Sequence, residues 1–89
     1  MKGVLIIIME ERVALIGIIV EKKESVMNVN SILHDYSDYI IGRMGLPYEK
    51  KGINIISIAT CAPQNIISAL SGKLGALEGI STKTTYSNV

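Results

Sequence analysis

The hydrophobic positions along the chain change spacing several times, and these changes predict alternating strands and helices. The run Arg12–Val20 is apolar at odd and even positions and rich in β-branched residues, so we predict a strand buried on both faces. Apolar residues then recur at helical spacing across Ser25–Ser37, including Val26, Val29 and Leu33. The first third of the chain is therefore predicted to be a strand followed by a helix.

The rest of the chain continues this alternation. Tyr39–Leu46 and Ile53–Cys61 predict two strands joined by the turn "PYEKKG". Pro63 marks a helix start, because a proline lacks the N–H that the first helical turn leaves unpaired. The apolar residues that follow it at helical spacing are Ile67, Leu70, Leu74 and Leu77. Ile80–Ser87 predicts a last, more polar strand.

The predicted element order is β-α-β-β-α-β, which identifies the fold class. Right-handed crossovers turn this order into an α+β, ferredoxin-like sandwich: a four-stranded antiparallel sheet with two helices on one face. The usual strand order is 4-1-3-2. The first strand is then interior, and the second and fourth strands form the edges.

Length and composition limit the possible functions. The 89 residues predict one domain, which we place at residues 12–89. Residues 1–11 are interpreted as an N-terminal extension, whose run Val4–Ile8 could add a strand or pack on a neighbouring subunit. That run is too short for a signal peptide or a membrane span, and the single cysteine fits a reducing compartment, so we expect a cytoplasmic protein. A net charge of +1 indicates neither a nucleic-acid nor a membrane partner.

The second predicted strand carries an arginine between two glycines. Simple alternation places Arg43 on the open face of the sheet, with Gly45 beside it. The even-numbered positions of this strand would then face the helices: Ile40, Gly42, Met44 and Leu46. The same rule places Lys83 of the last strand on the open face, about 14 Å from Arg43 across three strand spacings. One small carboxylate could not bridge them, so only the assembly of two sheets could bring both cations to a shared ligand.

Two interpretations of these glycines remain open. They could permit a ligand or a second subunit to approach an edge strand closely. Alternatively, they mark a bulge that blunts the edge, with Arg43 as a solubilising charge. We expect Arg43 to lie at or beside the subunit contact, because the second strand is an edge and its glycines permit close approach.

Three stretches of the chain resemble a known family. "VALIGIIVE", "YIIGRMGLPYEKKGINIISI" and "SALSGKLGALEGISTKT" are similar to the small proteins called iron-only hydrogenase system regulators, over about Arg12 to Thr85. The resemblance implies a stand-alone ACT-like domain with a ferredoxin-like fold, a homo-oligomer, and a regulatory role beside [FeFe]-hydrogenase and its maturation proteins. Separately, the excess of apolar residues for so small a chain predicts a homodimer or homotetramer. It does not identify an effector. The motif residues are Gly42, Arg43, Met44, Gly45 and Pro47, then Gly72, Lys73, Leu74 and Gly75.

Catalytic and metal-binding functions find little support in the residues. His34 and Cys61 are the single imidazole and thiol, too few for a four-ligand site, so we predict no metal and no cofactor. No nucleophile–base motif and no phosphate-binding loop is present, so we predict no enzyme activity. The two middle strands hold no aromatic residue to stack on RNA bases, and no DNA-binding helix motif occurs.

Two functional hypotheses follow. The first is a homo-oligomeric regulator that senses a small molecule at a sheet or subunit interface. The second is a non-sensing module that docks on a hydrogenase or maturation protein. The candidate ligand or subunit contacts are Gly42, Arg43, Met44, Gly45, Pro47, Lys73 and Lys83.

Overall fold

Four strands and two α-helices appear in the predicted order in a computed structural model that describes residues 10–88. The strands are β1 (Glu11–Val20), β2 (Ile40–Tyr48), β3 (Ile53–Pro63) and β4 (Ile80–Tyr86), and the helices are α1 (Val26–Asp35) and α2 (Gln64–Gly75). Short 3₁₀ turns lie at Lys23–Ser25, Ser37–Tyr39 and Glu49–Lys51. The predicted strand at Val4–Ile8 lies outside the described residues.

The strands form one antiparallel sheet in the order β2-β3-β1-β4. This is the predicted ferredoxin-like arrangement, with β1 and β3 in the middle and β2 and β4 at the edges. The connection from β1 to β2 contains α1, and the connection from β3 to β4 contains α2. Both are crossover connections, which in this fold carry a helix. The predicted fold class is therefore confirmed.

The core lies between the helices and one face of the sheet. From β1 it takes the even positions, among them Ile16 and Ile18, and the helices add Leu33, Leu70 and Leu74. The odd positions of β1 point to the opposite face, where Leu15 is 52% exposed. The expectation that this strand is buried on both faces is thus wrong within residues 10–88 of a single chain, because no second layer covers the open face.

The buried polar groups are paired with backbone carbonyls. The Thr60 hydroxyl donates to the Ala14 carbonyl oxygen at 3.0 Å, and the Ser25 hydroxyl donates to Glu78 at 2.7 Å. Within residues 10–88, no buried side-chain nitrogen or oxygen lacks a partner. These bonds join β3 to β1, and the start of α1 to the connection before β4.

Gly79 closes that connection in a conformation that suits glycine. Its φ is +73°, and a Cβ there would lie 2.6 Å from Lys22 Cγ and 3.1 Å from the Lys22 backbone nitrogen. The Gly79 carbonyl accepts a 2.7 Å hydrogen bond from the Glu21 amide. Gly79 therefore lies at a close backbone crossing that no other residue fits without strain.

Candidate functional site

A β-bulge in β2 decides which side chains face the helices. Ile40 pairs with Thr60, but Gly42 already pairs with Ala59, so Ile41 is an extra residue on the β2 side. An extra residue reverses the alternation of every residue after it. The alternative interpretation of this segment, a bulge at the edge, thus describes the backbone correctly.

The bulge places Arg43 on the helix side of the sheet. Arg43 pairs with buried Ile58, and its Nη2 donates a 2.6 Å hydrogen bond to Asn30 Oδ1 on α1. The prediction that Arg43 points to the open face is therefore wrong, because simple alternation could not include the extra residue. Gly45 moves with Arg43 to the helix side. The residues that move to the open side are Gly42, Met44 and Leu46.

A hollow of about 450 Å³ opens between α1 and β2 around the arginine. Its polar lining consists of Asn30, His34, Ser37 and Arg43. Leu33 and Ile40 supply its apolar part. The hollow combines a cationic group, polar side chains and a small apolar surface, a composition common in binding sites for small molecules.

The open face of the sheet is apolar, and no other part of residues 10–88 covers it. Large exposed side chains come from β1 and β2: Val13 is 42% exposed, Leu15 52%, Met44 57%, Leu46 53% and Tyr48 42%. Half-buried isoleucines of the interior strands lie between these side chains. A contiguous apolar surface of this kind typically marks an interaction site.

A groove of about 360 Å³ crosses the middle of the open face. Gly17 and Ser57 pair with each other, and because neither has a large side chain, the surface dips at this point. Ile19 and Ile55 line the groove, and Lys83 lies at its β4 side. Lys83 is therefore on the open face as predicted, beside an apolar trough.

A third hollow, of about 450 Å³, lies at the β2–β3 turn. Pro47 and Tyr48 line it together with Gly52, Asn54 and Lys23. Pro47 was predicted to begin the turn, but it still belongs to β2, and the turn proper is Glu49–Gly52. This hollow is separate from the surroundings of Arg43.

Two residues of the second motif, Lys73 and Gly75, serve the packing of α2. The ammonium group of Lys73 lies 5.1 Å from the centre of the Tyr36 ring, a cation–π contact between the two helices. A Cβ on Gly75 would lie 3.3 Å from Thr82 Oγ1, so this glycine allows α2 to approach β4 closely. A Cβ on Gly72 would meet no atom within 4 Å.

The predicted contact residues do not form one site. Arg43 lies on the helix side of one edge strand, Lys83 lies on the open side of the other edge strand, and Lys73 contacts Tyr36. Sequence reasoning missed Asn30 and Ser37, which line the arginine hollow. Their signal was weak, because polar residues on an exposed helix face are usual.

His34 and Cys61 lie on different sides of the sheet. His34 is exposed on α1, whereas Cys61 pairs with Val13 on the open face, with its Sγ 3.8 Å from Glu11 Oε1. Among residues 10–88, no group of three or more His, Cys, Asp or Glu side chains could hold a metal ion. The absence of a metal site in the whole protein stays a prediction.

Comparison with known proteins identifies the family of this chain. A family model described as TM1266-like, iron-only hydrogenase system regulator, matches residues 12–84, most of the 89-residue chain. The chain belongs to the TM1266-like family. The family name suggests a regulatory role in the iron-only hydrogenase system. No curated protein matches the chain significantly.

The solved structures include a member of the same family. The uncharacterized protein TM1266 from Thermotoga maritima is 33% identical with a TM-score of 0.84, and the match covers 86% of this chain and 98% of that one. Its TM-score supports the same arrangement of strands and helices in this TM1266-like chain.

Two more distant structures share the fold alone. A formyltetrahydrofolate deformylase from Pseudomonas putida KT2440 is 13% identical with a TM-score of 0.63, over 86% of this chain and 29% of that chain. An unknown protein from Galdieria sulphuraria is also 13% identical, with a TM-score of 0.61, over 90% and 47%. Within residues 10–88 of the TM1266-like chain, no helix has the length and apolar character needed to cross a membrane.

Proposed function

We propose that this chain is a homo-oligomeric, ACT-like regulatory module of the iron-only hydrogenase system, which senses a small molecule where two sheets meet. The observation that carries the proposal is the uncovered apolar face of the sheet, with a groove at its centre. The family match supports the regulatory role. We further propose a cytoplasmic protein that binds rather than catalyses and makes no direct contact with nucleic acid.

The apolar face supports assembly on energetic grounds. Covering ~400 Å² of apolar surface per chain, at ~25 cal/mol per Å², contributes roughly 10 kcal/mol before the costs of association. A stable interface of ordinary size buries about 800 Å² per partner, and rather more than half of that is apolar. The exposed side chains of β1 and β2 are thus enough for a dimer or a tetramer.

Assembly would also complete a binding site. The groove at Gly17 is open to solvent in one chain, with Ile19 and Ile55 as its walls. A second sheet laid over it would turn the trough into an enclosed, mostly apolar pocket, the form that small-molecule sites usually take. Ligand binding and association would then be linked, because each favours the same assembled state.

A thermal-shift screen of the full chain against small metabolites tests the sensing role. A sensor should gain thermal stability with one class of compound, because a ligand that binds only the native state raises the melting temperature. Gly17→Val fills the groove and should remove this response. Gly72→Ala is the matched control, because a Cβ there meets no atom within 4 Å and lies on α2. A response unchanged in Gly17→Val would contradict a groove site.

A second candidate function rests on the exposed edge strand. After Ile40, every residue of β2 is exposed, so a nine-residue strand offers its outer backbone groups to a partner strand. This observation favours a module that docks on a hydrogenase or maturation protein without sensing. Copurification of such a protein with the chain, combined with no ligand response in the screen, would support docking over sensing.

A further inference from the structure

Arg43 is a cation without an acidic partner. Within residues 10–88, the ion pair formed is Lys22 with Glu78, and neither residue belongs to β2 or α1. The Arg43 guanidinium instead contacts an uncharged amide, the side chain of Asn30. A guanidinium has five N–H donors, and one bond to Asn30 leaves most of them for other acceptors.

The surroundings of this guanidinium offer further donors to a ligand. Asn30 and His34 are four residues apart on α1 and so lie on one side of the helix, and Ser37 follows where the helix ends. An imidazole N–H and a hydroxyl can both donate to an oxyanion. Among residues 10–88, no carboxylate lines the hollow, so no described side chain in it would repel an anion.

The bond to Asn30 also fixes the direction of the guanidinium. A planar guanidinium that is already oriented loses less conformational freedom when it binds an anion. Leu33 and Ile40 add an apolar surface beside the polar groups. The hollow of about 450 Å³ is large enough for a small metabolite.

Arg12 provides an internal comparison. Its Nη1 also donates to a side-chain amide, Gln64 Oε1 at 2.9 Å, but its guanidinium is stacked on the Tyr86 ring at 4.3 Å. Arg12 thus serves packing between β1, α2 and β4. Arg43 has the same kind of amide partner and faces a hollow, and its guanidinium stacks on no ring in the described part of the chain.

We propose that the hollow between α1 and β2 binds a small molecule through an oxyanion, a carboxylate or a phosphate, held by Arg43 with Asn30, His34 and Ser37 around it. The site lies on the helix side of the sheet and the proposed sensing groove lies on the open side, so either proposal can fail without the other. The competing account is that the inward charge only protects the edge strand from pairing.

NMR titration of the full-length, ¹⁵N-labelled protein at constant ionic strength tests this site. The probes are inorganic phosphate and malonate, with chloride as the reference anion. We expect saturable shifts of the Asn30, Ser37 and Arg43 amide signals with at least one probe. Tighter binding of phosphate would indicate that the site recognises a phosphate group, and tighter binding of malonate would indicate a carboxylate. Edge protection alone predicts no saturable shift with either probe, and that result would overturn the proposal.

Matched variants locate the site. Arg43→Gln should weaken binding about tenfold or more, the equilibrium effect of losing a charge-assisted hydrogen bond. Arg12→Gln should leave the affinity unchanged. Should Arg43→Gln fail to fold, Asn30→Ala replaces it, and we expect a several-fold loss because the guanidinium is no longer oriented. Equal affinity in wild type and in the folded variant at this site would also overturn the proposal.

Discussion

The Arg43 guanidinium on β2 donates a hydrogen bond to the Asn30 side chain on α1, with 2.6 Å between Nη2 and Oδ1. The bond can form because Ile41 is an extra residue in β2, and the side chains after it therefore point to the opposite faces of the sheet. The cation therefore faces the helix layer, whereas Met44 and Leu46 join the open face. Along β2, the charge and the large apolar side chains, which alternation alone would have placed differently, therefore lie on opposite sides of the sheet.

Because of this separation, we predict that assembly through the open face does not depend on Arg43. Arg43→Glu is expected to leave the oligomeric state unchanged in sedimentation velocity, because the substituted side chain points away from the apolar surface. The same variant should lose oxyanion binding, since a carboxylate would repel the ligand. Dissociation into monomers on this single change would show that the interface includes the helix side of β2.

Leu15→Glu tests the open face directly. Leu15 is 52% exposed in the single chain, and burying a leucine in an interface typically contributes about 1.5–3 kcal/mol, so replacing it with a charge should weaken association at least tenfold. Met27→Glu is the control, because Met27 is 81% exposed on α1 and faces away from the sheet. Dissociation constants from sedimentation would decide: equal effects of the two variants would contradict an open-face interface.

Gly79→Ala should destabilise the fold. The φ of +73° disfavours alanine, and the added Cβ would lie 3.1 Å from the Lys22 backbone nitrogen, an atom that cannot move without shifting the end of β1. We expect a loss of about 1–3 kcal/mol in the free energy of unfolding by urea, the usual range for backbone strain.

Gly72→Ala is the control for Gly79→Ala. It lies inside α2 with no atom near the new Cβ, so it should raise the free energy of unfolding by about 0.5–1 kcal/mol. Equal stability of the two variants would mean that the crossing at Gly79 is not a tight one.

Leu74→Ala tests the position of the core. Leu74 is fully buried between α2 and the sheet, so its truncation should cost about 2–5 kcal/mol in the free energy of unfolding. Met27→Ala, at an exposed position, should change stability by no more than about 0.5 kcal/mol. A small effect at Leu74, measured by chemical denaturation, would contradict the packing of α2 on the sheet.

Elemental analysis of the untagged protein tests the prediction of no metal site. His34 and Cys61 lie on different sides of the sheet, so within one chain they cannot share an ion. We expect no stoichiometric nickel or zinc after purification. One tightly held ion per chain would contradict the prediction, and it would indicate a site that is shared between subunits.

Periodicity alone predicted most of the fold. Two-sided apolarity identified β1, and the spacing of Ile67, Leu70 and Leu74 identified α2, because burial on one face imposes these periods directly. Strand ends moved by one or two residues. β2 extends through Pro47 and Tyr48, which a sequence pattern assigns to the turn.

The candidate site was only partly predictable. Arg43 was recognised because a charge inside an apolar strand is unusual, but its orientation depends on one extra residue that alternation cannot detect. Its partner Asn30 lies thirteen residues earlier and meets it only through the packing of α1 on the sheet. The groove at Gly17 depends on the pairing of Gly17 with Ser57, which is a property of register rather than of either residue.

Sedimentation velocity of the untagged full-length chain at micromolar concentration tests the central claim most directly. The account predicts one homodimeric or homotetrameric species, because nothing within residues 10–88 of a single chain covers the apolar face of β1 and β2. A single monomeric species under these conditions would contradict the proposed assembly and, with it, a sensing site between two sheets.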